Sequence, residues 1–291
     1  MDYKAFGGTV AGLGEVLDAV EAELLDIGVV VSVFEPSDLA VHNFNYHVPF
    51  SVPDAPVNAE ILDQIYFEKH PWLRDDYEER FNQKLLGTFV VENYNFFSTK
   101  PIEKVTDLKG LKVGAACTNL LWLEGTGAVG VESPIPDAYT CLQTGVYDVS
   151  LQPSASVIKT NIFEVADYFV QVDFGTILCG GPTINLDIFN SLPEEVQQVI
   201  VEVGREYTMV QAKMAQEDYE KQMKVLEDSG INMTVFPHEE KEKWTQMLPN
   251  YPMKFAEEMD KLGYKGTELI VDYLEMVEEA GYMLPRKWHL E

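Results

Sequence analysis

Two spacings of apolar residues divide the chain. Short apolar runs of strand length alternate with segments whose apolar residues recur every three to four positions. Leu13, Val16, Leu17, Val20 and Leu24 have helical spacing, with Glu15, Asp18, Glu21 and Glu23 facing outward. A short strand (Tyr3–Phe6) and a glycine-rich turn precede them. Leu25–Phe34 is nearly continuous in apolar residues, which predicts a strand covered on both faces. Residues 35–53 form an aromatic-rich connector, two amphipathic helices are expected over 55–69 and 71–85, and Leu86–Tyr94 reads as a strand.

The stretch Asp107–Pro153 repeats a unit: strand (Lys112–Ala116), polar break, helical run through Trp122, strand (Val129–Val131), helix (Asp137–Thr144), turn and a further strand. Such alternation predicts parallel pairing, with ligands gathering where strands end. Ser154–Ala166 looks helical, and Phe169–Val172 and Pro182–Asn185 bracket a strand region. From Pro193 a helical pattern runs to Asp228, interrupted only by Gly204, with Glu194 and Glu195 favourable to the dipole in its first turn. About 35 residues of helix span about 50 Å, enough to bridge two lobes. A strand (Ile231–Phe236) and helices near 238–248, 251–262 and 266–280 close the pattern.

These elements predict an α/β chain of two lobes. Lobe I is expected over 1–97, continued by 186–225, and lobe II over 98–185, continued by 226–291. A chain of 291 residues is long enough for both. No apolar run reaches the ~20 residues of a membrane span, so no membrane insertion is expected. No signal peptide stands at the N-terminus, and any secretory signal is expected to have been removed.

Composition narrows the function. The 48 acidic against 21 basic residues give a net charge of −27, which repels phosphate backbones and argues against nucleic acid. Arginine occurs only at Arg74, Arg80, Arg205 and Arg286. The three cysteines, Cys117, Cys141 and Cys179, match no zinc or redox spacing and read as buried free thiols, with a single disulfide as the alternative.

Signatures of chemistry are missing. Gly125–Gly130 formally matches G-x-G-x-x-G, but it follows a helix and precedes a strand, the inverse of the dinucleotide context. No histidine pair has metal-site spacing, no serine stands in a G-x-S-x-G elbow, and there is no Walker loop. No catalytic residue, cofactor or metal is therefore expected. What remains is an aromatic and polar set at strand ends and connectors: Ser32, Tyr46, Phe50, Tyr94, Asn95, Phe96, Thr118, Asn119, Trp122, Tyr139, Gln152, Phe174 and Thr176. For each aromatic the competing reading is core packing; the functional reading gains weight from several falling at strand C-termini together.

Three segments carry a family resemblance: Asp107-Leu-Lys-Gly-Leu-Lys-Val113, Ala138-Tyr-Thr-Cys-Leu-Gln-Thr-Gly-Val-Tyr-Asp148 and Phe189-Asn-Ser-Leu-Pro-Glu-Glu-Val-Gln197. In this order they resemble the dicarboxylate-type solute-binding proteins of TRAP transporters. Leu25-Asp26-Ile27-Gly28 and Tyr46-His-Val-Pro-Phe50 resemble two further elements of that family. The resemblance implies a periplasmic-binding-protein-like fold with a long inter-lobe helix, and a periplasmic receptor, not an enzyme. Such a receptor takes a small organic solute, an organic acid or aromatic compound, into an inter-lobe cleft and delivers it to TRAP permease subunits. A ligand sensor for a signalling receptor, or an enzyme on the same scaffold, are the alternatives.

The chain departs from the pattern in two places. The family's first strand–helix unit is expected to have no counterpart before Tyr3, which leaves a lobe I edge as a route to dimers of an otherwise monomeric protein. The family's carboxylate-gripping arginine after G-L-K-[IV] is replaced by Gly114, and its other frequent arginine position corresponds to Lys100. No arginine–carboxylate clamp is thus expected, and two modes of binding are open. In one, a carboxylate meets Lys100, helix N-terminal amides, Thr118 and Asn119. In the other, an aromatic or weakly charged solute is held by Trp122, Tyr94 and Phe174 and hydrogen-bonded by Gln152.

Overall fold

The computed structural model describes residues 10–154 and 157–291, apart from the side chain of Cys117. The strand expected over Tyr3–Phe6 lies outside the described residues. The elements in chain order begin with α1 (Val16–Glu21), β1 (Ile27–Val31), α2 (Ala55–Gln64), α3 (Trp72–Phe81), β2 (Gln83–Leu85), β3 (Phe89–Val91) and β4 (Tyr94–Ser98). There follow β5 (Lys112–Ala115), a 3-10 turn (Cys117–Leu123), β6 (Val129–Glu132), α4 (Ala138–Thr144), β7 (Val149–Pro153), α5 (Val157–Thr160), β8 (Tyr168–Gln171) and β9 (Ile177–Asn185). The chain ends with α6 (Leu186–Ser191), α7 (Glu194–Ser229), β10 (Asn232–Val235), α8 (His238–Met247), α9 (Tyr251–Lys261) and α10 (Gly266–Glu279).

The chain divides into two compact units. The first comprises residues up to Asn45, Pro56–Val90 and Leu178–Lys213; the second comprises Tyr46–Ala55, Val91–Ile177 and Met214–Glu291. Sequence placed the crossings at 97/98 and 185/186, whereas the chain changes unit at 90/91 and 177/178. The reason is pairing: β4 lies wholly in the second sheet, and nearly all of β9 lies in the first. The connector 46–55 also joins the second unit, and α7 changes unit after Lys213 rather than at 225.

In the first unit β9 pairs antiparallel with both β1 and β2, and β3 also pairs with it. The expectation that the 25–34 run is covered on both faces is corrected: Val30 is buried, while Ile27 and Val29 are each more than 40% exposed. α7 begins on this unit. Its Gly204 is required by contact, because a Cβ there would stand 2.5 Å from the Leu86 carbonyl oxygen. The close approach outweighs the ~1 kcal/mol cost of glycine inside a helix. One turn on, Thr208 Oγ1 accepts from Thr88 N (2.9 Å), and the Gln211 amide accepts from Val90 N (3.1 Å) and donates to Val90 O (3.0 Å). The helix thereby takes up backbone groups of Thr88 and Val90.

The second sheet has the order β10-β8-β4-β7-β5-β6. β5 runs parallel to both β6 and β7, as the 107–153 alternation predicts. β4 is antiparallel to its neighbours β7 and β8. Among the described residues no helix is long and apolar enough to cross a membrane.

Candidate functional site

In the second unit β5 and β7 are parallel, so their C-terminal ends lie on one edge of the sheet. Antiparallel β4 brings its first residue to that edge: Tyr94 pairs with Pro153 and Asn95 with Gln152. The 3-10 turn after β5 brings Thr118, Asn119 and Trp122 there. The connector 46–55 and the segment 172–176 complete it, joined by Phe50 N to Phe174 O (2.7 Å) and by Thr176 N and Oγ1 to Val52 O (2.8 and 2.9 Å).

The aromatic residues at this edge pack on one another. Trp122 stacks on Phe174 at 5.1 Å, Tyr94 meets Trp122 edge-on at 5.6 Å, and Phe50 lies 4.9 Å from Phe174. Trp244 of α8 packs edge-on against Phe174 at 5.3 Å. Two indole donors tie the group to the backbone: Trp122 Nε1 donates to Tyr46 O (2.8 Å) and Trp244 Nε1 to Trp122 O (2.7 Å). Trp122, Phe174 and Trp244 are all fully buried. They form a rigid aromatic core beneath the strand ends, which is the packing reading weighed for them in the sequence. Trp244 was absent from the sequence set because it lies on an acidic, strongly polar helix.

Two asparagines shape the 172–176 segment. Asn95 Oδ1 accepts from Val172 N (2.8 Å) and Asp173 N (2.9 Å). Asn93, which the sequence reading passed over, accepts from Gly175 N (3.0 Å) and donates to Asp173 Oδ1 (2.7 Å). Asp173 and Gly175 both have positive φ, at 56° and 110°. These hydrogen bonds hold the segment in a conformation an L-residue resists. Gln152 is buried and its Oε1 accepts from Ser150 Oγ (3.1 Å).

Other members of the sequence set lie elsewhere. Lys100 follows the far end of β4, since Ser98 pairs with Val149. It is exposed and ion-paired with Asp148 at 2.7 Å. Four residue steps at ~3.4 Å put that end of the strand about 14 Å from Tyr94. Tyr139, on α4, donates to Glu164 at the surface (3.1 Å). Ser32 belongs to the first unit, just beyond β1. It is buried, its carbonyl accepts from Asn43 Nδ2 (3.0 Å), and neither Ser32 Oγ nor Asn43 Oδ1 has a partner.

Gly114 is filled from the side. A Cβ there would stand 2.3, 2.4 and 2.6 Å from three ring carbons of Tyr147. Tyr147 is buried; burial pushes its hydroxyl pKa up, and hydrogen bonds with Ser133 and Ser150 oppose the shift. The four arginines are all engaged: Arg74 with Asp75 (2.7 Å), Arg80 with Asp76 (3.0 Å), Arg205 with Asp63 (2.5 Å) and Arg286 with Glu291 (2.5 Å). Of the thiols, Cys141 and Cys179 are in no disulfide, the first partly and the second fully buried.

His47 stacks on Phe255 at 4.3 Å, and burial pushes its pKa down to about 4. The unfolded chain protonates this imidazole near 6.5, so between those values the unfolded state binds more protons and stability falls as the pH falls. His47→Phe is expected to remove about 2 kcal/mol of the loss seen between pH 7.5 and 4.5. Urea titrations of both proteins at the two pH values measure it; equal losses would rule the assignment out.

Two α/β units, each built on its own sheet and sharing one long helix, define the periplasmic-binding-protein class of fold. Solved structures carry the same fold. A TRAP periplasmic solute binding protein from Desulfovibrio salexigens matches with a TM-score of 0.84 at 20% identity, over 97% of this chain and 86% of that one. One from Bordetella bronchiseptica, solved with bound (R)- and (S)-mandelate, matches with a TM-score of 0.78 at 20% identity, over 94% and 87%. Residues 7–258 match the model of the family DctP, bacterial extracellular solute-binding protein, family 7, and the chain belongs to that family. A curated relative, a solute-binding protein of Sulfitobacter sp. (strain NAS-14.1), is 25% identical over 194 residues, which are 64% of this chain and 57% of the relative. The chain spans about a third to just over half of the length of the curated relatives it matches.

Proposed function

We propose that the protein is an extracytoplasmic receptor that captures a small organic acid or aromatic solute and delivers it to a TRAP-type permease, working in the periplasm. The observation that carries this reading is the family match, which runs through both units and takes in the strand-end edge of the second unit. The solved relatives support the solute class: one holds mandelate, one copurified benzoate and one β-D-galacturonate. The second part of the proposal is that no arginine clamps the solute. Its support is that each guanidinium already has a carboxylate partner and that Tyr147 occupies the Gly114 position.

The test is to denature the purified protein, identify small molecules released from it by mass spectrometry, and return each to refolded protein. The expected result is one organic solute that raises the melting temperature by roughly 5–10 °C at a hundred times its Kd. Chemical conversion of that solute over hours would replace the receptor reading with an enzymatic one.

A further inference from the structure

Asn119 has an unusual combination of place and bonding. It sits in the 3-10 turn that leaves the C-terminal end of β5, the edge at which parallel α/β sheets gather ligands. Its side chain is 2% exposed, and Nδ2 has no hydrogen-bond acceptor. A buried donor without an acceptor costs about 1–3 kcal/mol. The fold bears that cost next to Thr118, which is half-buried, and to the fully buried Trp122. Three cations of the second unit already have carboxylate partners. Lys100 is paired with Asp148 at the other end of β4, Lys241 with Asp173, and Arg286, the second unit's sole arginine, with Glu291.

We infer that the side-chain amide of Asn119 is a specificity-determining group of the solute site, donating from Nδ2 to an acceptor oxygen of the solute. The inference rests on the receptor reading and names the group that would take over from the missing guanidinium. An amide donor differs from a guanidinium in a way that can be read out. It carries no net charge, so it accepts a carboxylate, a neutral carbonyl or a hydroxyl, and its contribution is insensitive to salt.

The experiment measures binding of benzoate, benzamide, (R)-mandelate and D-galacturonate by calorimetry to the refolded wild-type chain, Asn119→Ala and Asn119→Asp. The expected result is that at least one probe binds the wild type. Both variants should weaken it roughly ten- to hundredfold, as expected for loss of one strong hydrogen bond. Their melting temperatures without probe should be no lower than that of the wild type. The arms separate the two sources of the oxygen: Asn119→Asp penalises benzoate more than benzamide if the solute is a carboxylate, and both alike if the oxygen is neutral. If the alanine variant fails to fold, the near-isosteric aspartate variant decides alone. Unchanged affinity in the variants overturns the inference, and so does failure of all four probes to bind the wild type. In that last case the receptor reading is still judged separately, by the solute released on denaturation.

Discussion

Gly114→Ala is expected to destabilise the protein by about 2 kcal/mol, although backbone preference alone predicts the opposite sign. A glycine inside a strand costs roughly 0.5–1 kcal/mol relative to alanine, so the substitution should help by that amount if nothing stood in the way. Tyr147 does stand in the way. The new methyl would meet three of its ring carbons at 2.3–2.6 Å, and the ring is itself buried against Phe97, Leu142 and Phe169, so it has nowhere to go. Overpacking of this kind costs about 1–3 kcal/mol, which outweighs the backbone gain. In a Tyr147→Val background the same change should cost less than about 1 kcal/mol, because the obstructing ring is gone. Urea denaturation of the four proteins closes the cycle, and an equal cost in both backgrounds would show that the ring is not the obstacle. Any longer side chain at position 114 meets the same ring.

That coupling also shows where sequence reading stopped. The parallel core of the second unit was legible because β5, β6 and β7 carry apolar runs at strand spacing, separated by helical segments and turns. The 36-residue helix was legible because no breaker interrupts it except Gly204, whose purpose appears only when the Leu86 carbonyl is found against it. The unit boundaries were not legible. A strand of the first sheet and one of the second have the same apolar pattern, so nothing local says that Val91 begins a new unit. The aromatic residues were found but not their arrangement: Trp122 and Phe174 are 52 positions apart, and sequence gives no reason for one to stack on the other rather than on a solute. Lys100 was placed beside Thr118 and Asn119 by analogy of position, whereas the direction of β4 puts it at the opposite end of the sheet. Asn119 was one of many polar residues near strand ends; burial without an acceptor sets it apart, and that is a tertiary property.

Asp76→Ala is expected to cost about 3 kcal/mol. The connector places His42 in full burial, with Nδ1 2.9 Å from Tyr66 Oη and Nε2 3.2 Å from an Asp76 oxygen. An ionised carboxylate only accepts, so Nε2 carries the proton toward Asp76 and Nδ1 accepts from the Tyr66 hydroxyl. Burial pushes the His42 pKa down against the opposing pull of Asp76, which keeps the ring neutral. Burial would raise the Asp76 carboxyl, but the His42 hydrogen bond and the Arg80 guanidinium more than offset it and hold the group below its usual range. Arg80 in turn donates to Asp38 O at 2.8 Å, so one carboxylate fastens α3 to the connector. Removing it leaves a buried imidazole N–H without its acceptor and takes one carboxylate from the Arg80 guanidinium. Breaking a buried charged pair from one side costs about 3–5 kcal/mol. The lower figure applies here because Arg80 is about one-third exposed and can turn to water. Asp76→Asn keeps an acceptor for His42 and loses only the charge, so it should cost no more than half as much. Urea titration at pH 7 ranks the three proteins, and an alanine variant as stable as the asparagine one would show that the His42 hydrogen bond carries none of the stability.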